Sequence, residues 1–351
     1  MECRTVVRDD GRWDEFISAQ SAGTFFHLWG WRDVIARSFG HEPFYLCVEE
    51  AGEIHGVLPL FLVKSMLFGR SLVALPLAVY GGVVAKCDKA RDLLLGKANE
   101  LAKEYQVRYL EIRGNPYDAH SEAPGECAAA AEWMRKDLYV TFMGAIDSED
   151  DVNLSRVPRK QRRMIRQGQK HGLRSIFDKS KLPEFYQIYA ESVRNLGTPV
   201  YGYAYFQELL TSFEHQCKLL LVEHENRAVA GVLVFFYKDQ VMPYYSGALK
   251  EYLHLAPNDF MYWELMSYAA ASGFKIFDFG RSKTGTGSYS FKRHWGFEPR
   301  PLPYWHCALN GRHVPDASPL NRKLQWAIRL WRSMPLKVTT ALGPHIVRHI
   351  P

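Results

Sequence analysis

The sequence predicts an α/β (α+β) fold built twice in tandem. Three observations support this: a helix–strand–turn–strand pattern recurs in each half, its repeat distance is domain-sized, and the composition is that of an ordinary globular chain. The 351 residues are 47% hydrophobic and 23% charged, which excludes disordered and fibrous classes. Each half is long enough to bury roughly 70% of its unfolded surface.

The elements follow in order. Residues 31–40 (WRDVIARSFG) and 205–214 (YFQELLTSFE) place apolar side chains at helical spacing. Each is followed by an apolar run that reads as a strand, 44–49 in the first half and 218–223 in the second. A turn carrying Gly52 or Asn226 leads to a second strand, 56–61 or 231–236. Later a helix, 97–105 or 261–271, runs into a further strand, 109–114 or 276–281. Corresponding elements lie about 170 residues apart. That is too far for solenoid repeats of ~20–50 residues and suits a duplicated domain.

A formal charge of +6 and a pI near 8.9 favour anionic partners without choosing among nucleic acid, lipid and nucleotide-linked sugars. The six cysteines are scattered without a CxxC pair, so neither a zinc site nor a disulfide framework follows from their spacing. The charged N-terminus lacks an apolar signal core, and no run of about 18 apolar residues is present. The expected location is the cytoplasm.

Positive charge is concentrated in two places. Arg159, Arg162, Arg163, Arg166 and Lys170 fall on one face of a helix that Val157-Pro158 starts and His171-Gly172 stops. No carboxylate interrupts this face, and it lies between the expected domains, where clefts form. It is either a phosphate-binding face or a solvated one. Residues 321–332 (NRKLQWAIRLWR) place Leu324, Ala327, Ile328 and Trp331 on one stripe with cations around it. This segment either docks on the domain core or lies at an anionic bilayer surface.

The chemistry points to the segment from Gly273 to Phe297. A buried strand ends at Gly280-Arg281, a small-residue loop follows, and Lys292 and Arg293 come next. Strand ends in α/β sheets face ligand crevices, and these cations suit an anionic or carbonyl-bearing substrate. The downstream SYSFKRHW does not read as a helix. There is no GxSxG elbow, HExxH, Walker loop or GxGxxG. The thirteen histidines form no pair with metal-ligand spacing that also sits on a plausible strand or helix, so no metal site is expected.

The final FDFGRS…YSFKRHWGF segment, with the tandem repeats and the arginine-rich helix, resembles the FemAB-like branch of the GNAT superfamily. Within that branch, LWGWRDVIARSFGHEPFYL, RKQRRMIRQGQKHGL and NLGTPVYGYAYFQELL are similar to proteins found with PEP-CTERM/exosortase and exopolysaccharide systems. The resemblance implies two GNAT-like domains, each a mixed central sheet flanked by helices. The expected divisions are a first domain at 1–150, a basic linker helix at 151–174, a second domain at 175–310 and a basic amphipathic tail at 311–351. It also implies acyl or aminoacyl transfer to an amine of a cell-wall or exopolysaccharide precursor.

On this resemblance Tyr289-Ser290-Phe291-Lys292 occupies the place of the family's YKFK-like segment. Lys292 and Arg281 would support the donor and the developing charge, with Asp278 orienting Arg281 or accepting a proton. Arg162, Arg163 and Arg166 would hold acceptor phosphates. Tyr80, Tyr244, Tyr245, Ser246, Asn258, Ser288, Tyr289, Phe291 and Arg293 complete the expected binding set. No tightly bound cofactor is expected; the acyl donor, aminoacyl-tRNA or acyl-CoA, would be a co-substrate. Expected partners are a nucleotide- or lipid-linked glycan precursor, tRNA, and the inner membrane face through the tail. The alternatives are acetylation of a small amine from acyl-CoA and a non-catalytic assembly factor for a polysaccharide or protein-sorting system.

Overall fold

The structure, a computed structural model, describes residues 1–66, 68–117, 133–309 and 322–350. Residues 310–321 of the expected tail, and Cys127, lie outside the described residues. The chain divides into two compact units. Unit 1 comprises residues 1–140, 301–317 and 348–351, and unit 2 comprises residues 141–300 and 318–347. These are not the four consecutive segments expected from the sequence. The arginine-rich helix and most of the tail fall within unit 2, because each packs on a helix of that unit.

Unit 1 opens with β1 (Glu2–Val6), α1 (Arg12–Ala19) and α2 (Trp29–Phe39). The strands β2 (Glu42–Glu50), β3 (Glu53–Ser65), β4 (Gly69–Ala74) and β5 (Val84–Ala85) follow. Next come α3 (Asp88–Glu104), β6 (Tyr109–Arg113) and β7 (Trp133–Ala145), whose residues from Thr141 onward belong to unit 2. Unit 2 continues with α4 (Asp150–Arg156), α5 (Arg159–Lys170), β8 (Arg174–Phe177), α6 (Leu182–Leu196) and α7 (Tyr203–Ser212). The antiparallel run β9 (Cys217–His224), β10 (Arg227–Tyr237) and β11 (Gln240–Ala248) leads to α8 (Pro257–Ala271), β12 (Ile276–Lys283) and α9 (Gly287–His294). The chain then forms β13 (Pro299–Ala308), most of which belongs to unit 1. It ends in α10 (Arg322–Ser333) and α11 (Leu336–Val347).

In unit 1 the strand order is β1-β2-β3-β4-β6-β13-β7, with β5 beside β3. Neighbours from β1 to β4 are antiparallel and β4 runs parallel to β6. In unit 2 the order is β7-β12-β11-β10-β9-β8, antiparallel from β8 to β11 and parallel between β11 and β12. The sequence β2-β3-β4-α3-β6 in one unit and β9-β10-β11-α8-β12 in the other is the duplication, and each parallel pair needs its helical crossover. The fold is that expected: a mixed sheet flanked by helices in each unit.

Packing explains which residues take these places. In unit 1, Leu94, Ala98 and Leu101 of α3 recur at helical spacing and bury against Leu46, Leu58 and Leu110 of the strands. Full burial of each large side chain contributes about 1.5–3 kcal/mol. In unit 2, α5 sits close on α8 because Gly168 has no side chain: a Cβ there would lie 2.8 Å from the Cβ of Phe260. The cysteine spacing suggested no cross-link, yet Cys307 of β13 is disulfide-bonded. Cys3, Cys47, Cys87 and Cys217 are free. No helix of the described residues is long and apolar enough to cross a membrane.

Candidate functional site

The site arises where two parallel strands part. β11 and β12 are in register only at Gln240/Ile276 and Val241/Phe277, although both strands run on for several residues. On its other edge β11 carries a bulge. Leu233 pairs Tyr245 and Val234 pairs Pro243, which leaves Tyr244 as the extra residue. Bulges re-aim side chains, and Pro243 has no N–H to give a ladder. A cavity of about 610 Å³ opens in unit 2, lined by residues of both strands beyond their paired stretch. Pro243, Tyr244, Ser246 and Gly247 line one side, and Phe279 and Arg281 the other.

Gly280 lies within β12, which runs on to Lys283, so the strand does not end at Gly280-Arg281 as the sequence suggests. Gly280 has φ +68°, a left-handed conformation that costs a side-chain-bearing residue energy. A Cβ there would meet no atom within 4 Å, so the backbone angle selects the glycine. The buried Asp278 carboxylate accepts the Gly280 N–H at 2.7 Å and the Thr141 hydroxyl at 3.4 Å. The loop beyond it ends at Thr286, whose hydroxyl accepts the Tyr289 N–H and caps α9. Residues 287–294 are therefore helical, which corrects the reading of SYSFKRHW as non-helical. The helix is short and begins with a cap rather than an apolar period.

Helix α9 carries Phe291 and Lys292 to the cavity wall. The Lys292 ammonium donates to the carbonyl oxygens of Gly280 and Arg281, each at 3.0 Å. Burial pushes its pKa down to about 7, with Asp278 opposing and Arg281 adding to the fall. The floor is aromatic. Tyr262 of α8 packs against Phe279 and Phe291, with ring centroids 5.1 and 5.4 Å away, and shares a 3.0 Å hydrogen bond with Ser246. Beneath them Trp295 donates to Asp259 at 3.1 Å, and burial raises that carboxyl to about 6. Asn258, in the first turn of α8, lines the cavity beside Lys250. Lys250, Arg281 and Lys292 are the cations of the lining, and no Asp, Glu or His is among the described lining residues.

Of the residues expected from the sequence, Lys292, Arg281, Tyr244, Ser246, Asn258, Ser288 and Phe291 meet on this wall. The others do not line it. Asp278 is buried, holding Gly280, and is not exposed to the cavity as a proton acceptor. Tyr245 is buried on α6 and α7, sharing a 2.8 Å hydrogen bond with Tyr205. Tyr289 packs edge-on to Phe142 of β7, and Arg293 is exposed outside the lining. Arg162, Arg163 and Arg166 stand on α5 outside the lining. Tyr80 belongs to unit 1, buried against Phe26 and Tyr117.

Sequence reasoning missed Ser192 and Asn195 at the end of α6, Lys250, and Tyr262. Tyr262 was within reach, since it stands one turn after Asn258 on the same face of α8. In unit 1 the equivalent strand, β6, ends at Arg113, which donates to the Leu75 and Ala78 carbonyls at 3.0 and 2.6 Å and to Glu111 at 2.8 Å. Among the described residues no group of three or more His, Cys, Asp or Glu is placed to hold a metal ion.

Comparison with known proteins matches this region. Residues 155–293 fit the family model of the acetyltransferase (GNAT) domain, and they include all the described lining residues of the cavity. No curated protein sequence matches the chain. Among solved structures, FemX superposes with a TM-score of 0.66 at 16% identity, covering 88% of this chain and 98% of its own. The C-terminal domain of a putative lysylphosphatidylglycerol synthetase from Agrobacterium fabrum superposes at 0.58 and 14% identity, over 86% of this chain and 91% of that domain. A tandem GNAT protein from the clavulanic acid biosynthesis pathway superposes at 0.56 and 12% identity, over 89% and 99%. At these identities the likeness is one of fold, and that fold is the tandem GNAT-like one.

Proposed function

We propose that the chain is an N-acyltransferase that moves an activated acyl or aminoacyl group onto an amine of a cell-wall or exopolysaccharide precursor, in the cytoplasm. The observation that carries this reading is the cavity between β11 and β12. It is cationic, has an aromatic floor, and places Lys292 beside Arg281 of β12. Such a site suits a donor whose leaving group bears phosphate and whose carbonyl gains negative charge in the transition state.

The chemistry assigned to the residues is direct transfer. A neutral lysine has two N–H donors, and the carbonyls of Gly280 and Arg281 account for both, leaving the nitrogen lone pair to accept a proton. Lys292 takes the proton from the attacking ammonium, and the freed amine forms the C–N bond to the donor carbonyl. Arg281, still cationic, supports the oxyanion. The bond to the leaving group then breaks as the Lys292 ammonium gives its proton to the departing thiolate or alkoxide. Lys292 takes the second proton from the new amide nitrogen and releases it to solvent. Asp278 works indirectly by fixing Gly280.

An aminoacyl donor is favoured by the FemAB-like motif and by the fold shared with a putative lysylphosphatidylglycerol synthetase. An acyl-CoA donor is favoured by the acetyltransferase domain match over residues 155–293. The exposed cations of α5 would then engage phosphates lying outside the cavity. Association with PEP-CTERM/exosortase systems rests on the sequence resemblance. The test is thermal shift with acetyl-CoA, longer acyl-CoAs, aminoacyl-tRNA and UDP-sugar precursors, using wild type and Arg281→Ala. A donor that raises Tm in a concentration-dependent way in wild type and less in the variant supports the reading. Stabilisation by none of them, with no transfer detected, leaves the non-catalytic assembly role.

A further inference from the structure

The last two helices present an apolar, cationic face that the fold leaves uncovered beside the cavity mouth. Helix α10 is fixed to the end of α6. Gly197, which ends α6 with φ +82°, admits Ile328, whose Cγ2 would lie 2.4 Å from a Cβ there. Arg332 donates to the Leu196 carbonyl at 3.0 Å, and Trp331 is buried. In α11, Thr339, Gly343 and Val347 are buried.

Helix positions one turn apart then face outward. Trp326 is 66% exposed and Leu330 49%, and Val338 and Leu342 of α11 are also exposed. Leu196 and Leu253 line the cavity and are 66% and 45% exposed. These six are more than half of the exposed large hydrophobics among the described residues, which are otherwise scattered singly. Arg329, Lys337 and Lys250 are exposed around them. From residue 317 to the end the sequence contains no Asp or Glu, against six Lys and Arg. Glu251, next to Lys250, is engaged by Arg227 at 3.3 Å.

We propose that this face of α10 and α11 rests on an anionic lipid bilayer, with Trp326 and Leu330 at the headgroup boundary and Arg329 and Lys337 over lipid phosphates. Charge complementarity selects the occupant. A cationic rim suits a phosphate surface, whereas a second copy of the same rim would repel it. Amphipathic helices with cations around an apolar face lie in the plane of the interface, where tryptophan sits favourably. The arrangement holds the mouth of the cavity at the membrane. It does not depend on the transfer chemistry, because lipid binding is read without turnover.

The test is co-sedimentation of the full chain with phosphatidylglycerol/phosphatidylcholine vesicles and with phosphatidylcholine vesicles alone. Binding to the anionic vesicles that falls with added salt, and at least tenfold in the double variant Trp326→Glu/Leu330→Glu with unchanged Tm, is the expected result. Quenching of wild-type fluorescence by brominated phosphatidylglycerol, lost in Trp326→Phe, is the second readout and needs no charged variant. Absence of binding to anionic vesicles, binding untouched by both variants, or a dimer in solution that Trp326→Glu dissolves would each overturn the proposal.

Discussion

Lys292 of α9 donates a 3.0 Å hydrogen bond to the carbonyl oxygen of Gly280, the residue of β12 with a left-handed backbone. Three separate features converge on that bond. The left-handed backbone of Gly280 sets the local geometry of the strand. The Asp278 carboxylate holds its N–H, and the Thr286 cap starts the helix that delivers the lysine. The lysine is thus fixed by backbone atoms on a cavity wall, with burial drawing its pKa to about 7.

Transfer should therefore depend on pH through Lys292. Its folded pKa is lowered from 10.5, so the neutral, proton-accepting form grows in as pH rises through about 7. The rate in wild type rises between pH 6 and 8 and then levels. In Lys292→Ala the limb disappears and kcat/KM falls by roughly 10²–10⁴-fold, the usual contribution of a positioned general base. A pH series of initial rates for both proteins checks this.

Arg281 should matter through charge on the reacting carbonyl. Its replacement by alanine is expected to lower kcat by roughly 10²–10³-fold, the cost of losing one oxyanion donor. Arg281→Lys keeps the charge and loses the fork, so its rate should fall between the two. Single-turnover rates at saturating donor separate this from weakened binding.

Gly247 is the close-approach position of β11. A Cβ there would lie 2.9 Å from the Tyr189 Cα and 3.2 Å from the Ile188 carbonyl, both backbone atoms of α6. Gly247→Ala must push α6 from the strand, and overpacking of this kind costs about 1–3 kcal/mol. A Tm lower by several degrees, with weaker donor binding because Ser192 and Asn195 shift, is the expected result.

In unit 1 the buried Glu111 touches Arg113 at 2.8 Å and His306 at 2.9 Å. Burial alone would raise its pKa, but Arg113 and His306 overcome that and hold the carboxyl below the usual carboxylate range. The sign follows: this contribution to stability is present above the ordinary carboxylate pKa and is lost as pH falls through the lowered one. Glu111→Leu, which strands a buried guanidinium, should cost about 3–5 kcal/mol in a denaturant titration.

How far the sequence anticipates this picture depends on the range over which each signal acts. The helices and strands of the duplicated pattern were legible because burial imposes a local period. Helix α5 begins where Pro158 said it would, at Arg159. Helix α9 was not legible, because eight residues with alternating polar and aromatic side chains carry no clear period. Strand β11 was only half visible, since Pro243 and Gly247 interrupt its pattern for reasons that lie in the bulge and in α6. Arg281 and Lys292 could be read from one continuous motif. Ser192, Asn195 and Lys250 come from distant segments, and only the packing of α6 and of the loop before α8 brings them to the same wall. The interleaving of the units was hidden for a similar reason: the strand pairing of β13 with β6 is set by long-range contacts, not by local composition.

Charge on α5 has its own signature. Arg163 and Arg166 are exposed, and neither makes an ion pair among the described residues. Arg163→Glu/Arg166→Glu should weaken binding of a phosphate-rich donor such as aminoacyl-tRNA. The slope of log affinity against log salt should fall by about one per cation removed. Filter binding across a salt series reads it, and an unchanged slope assigns α5 to solvent.

Competitive labelling of Lys292 with trace acetic anhydride, read by mass spectrometry from pH 5.5 to 10, tests the central claim most directly. Lys292 is expected to titrate near 7, well below its ordinary 10.5, and a saturating acyl donor to protect it from the reagent. A Lys292 that titrates with the surface lysines, and is labelled equally with and without every donor tried, contradicts that claim.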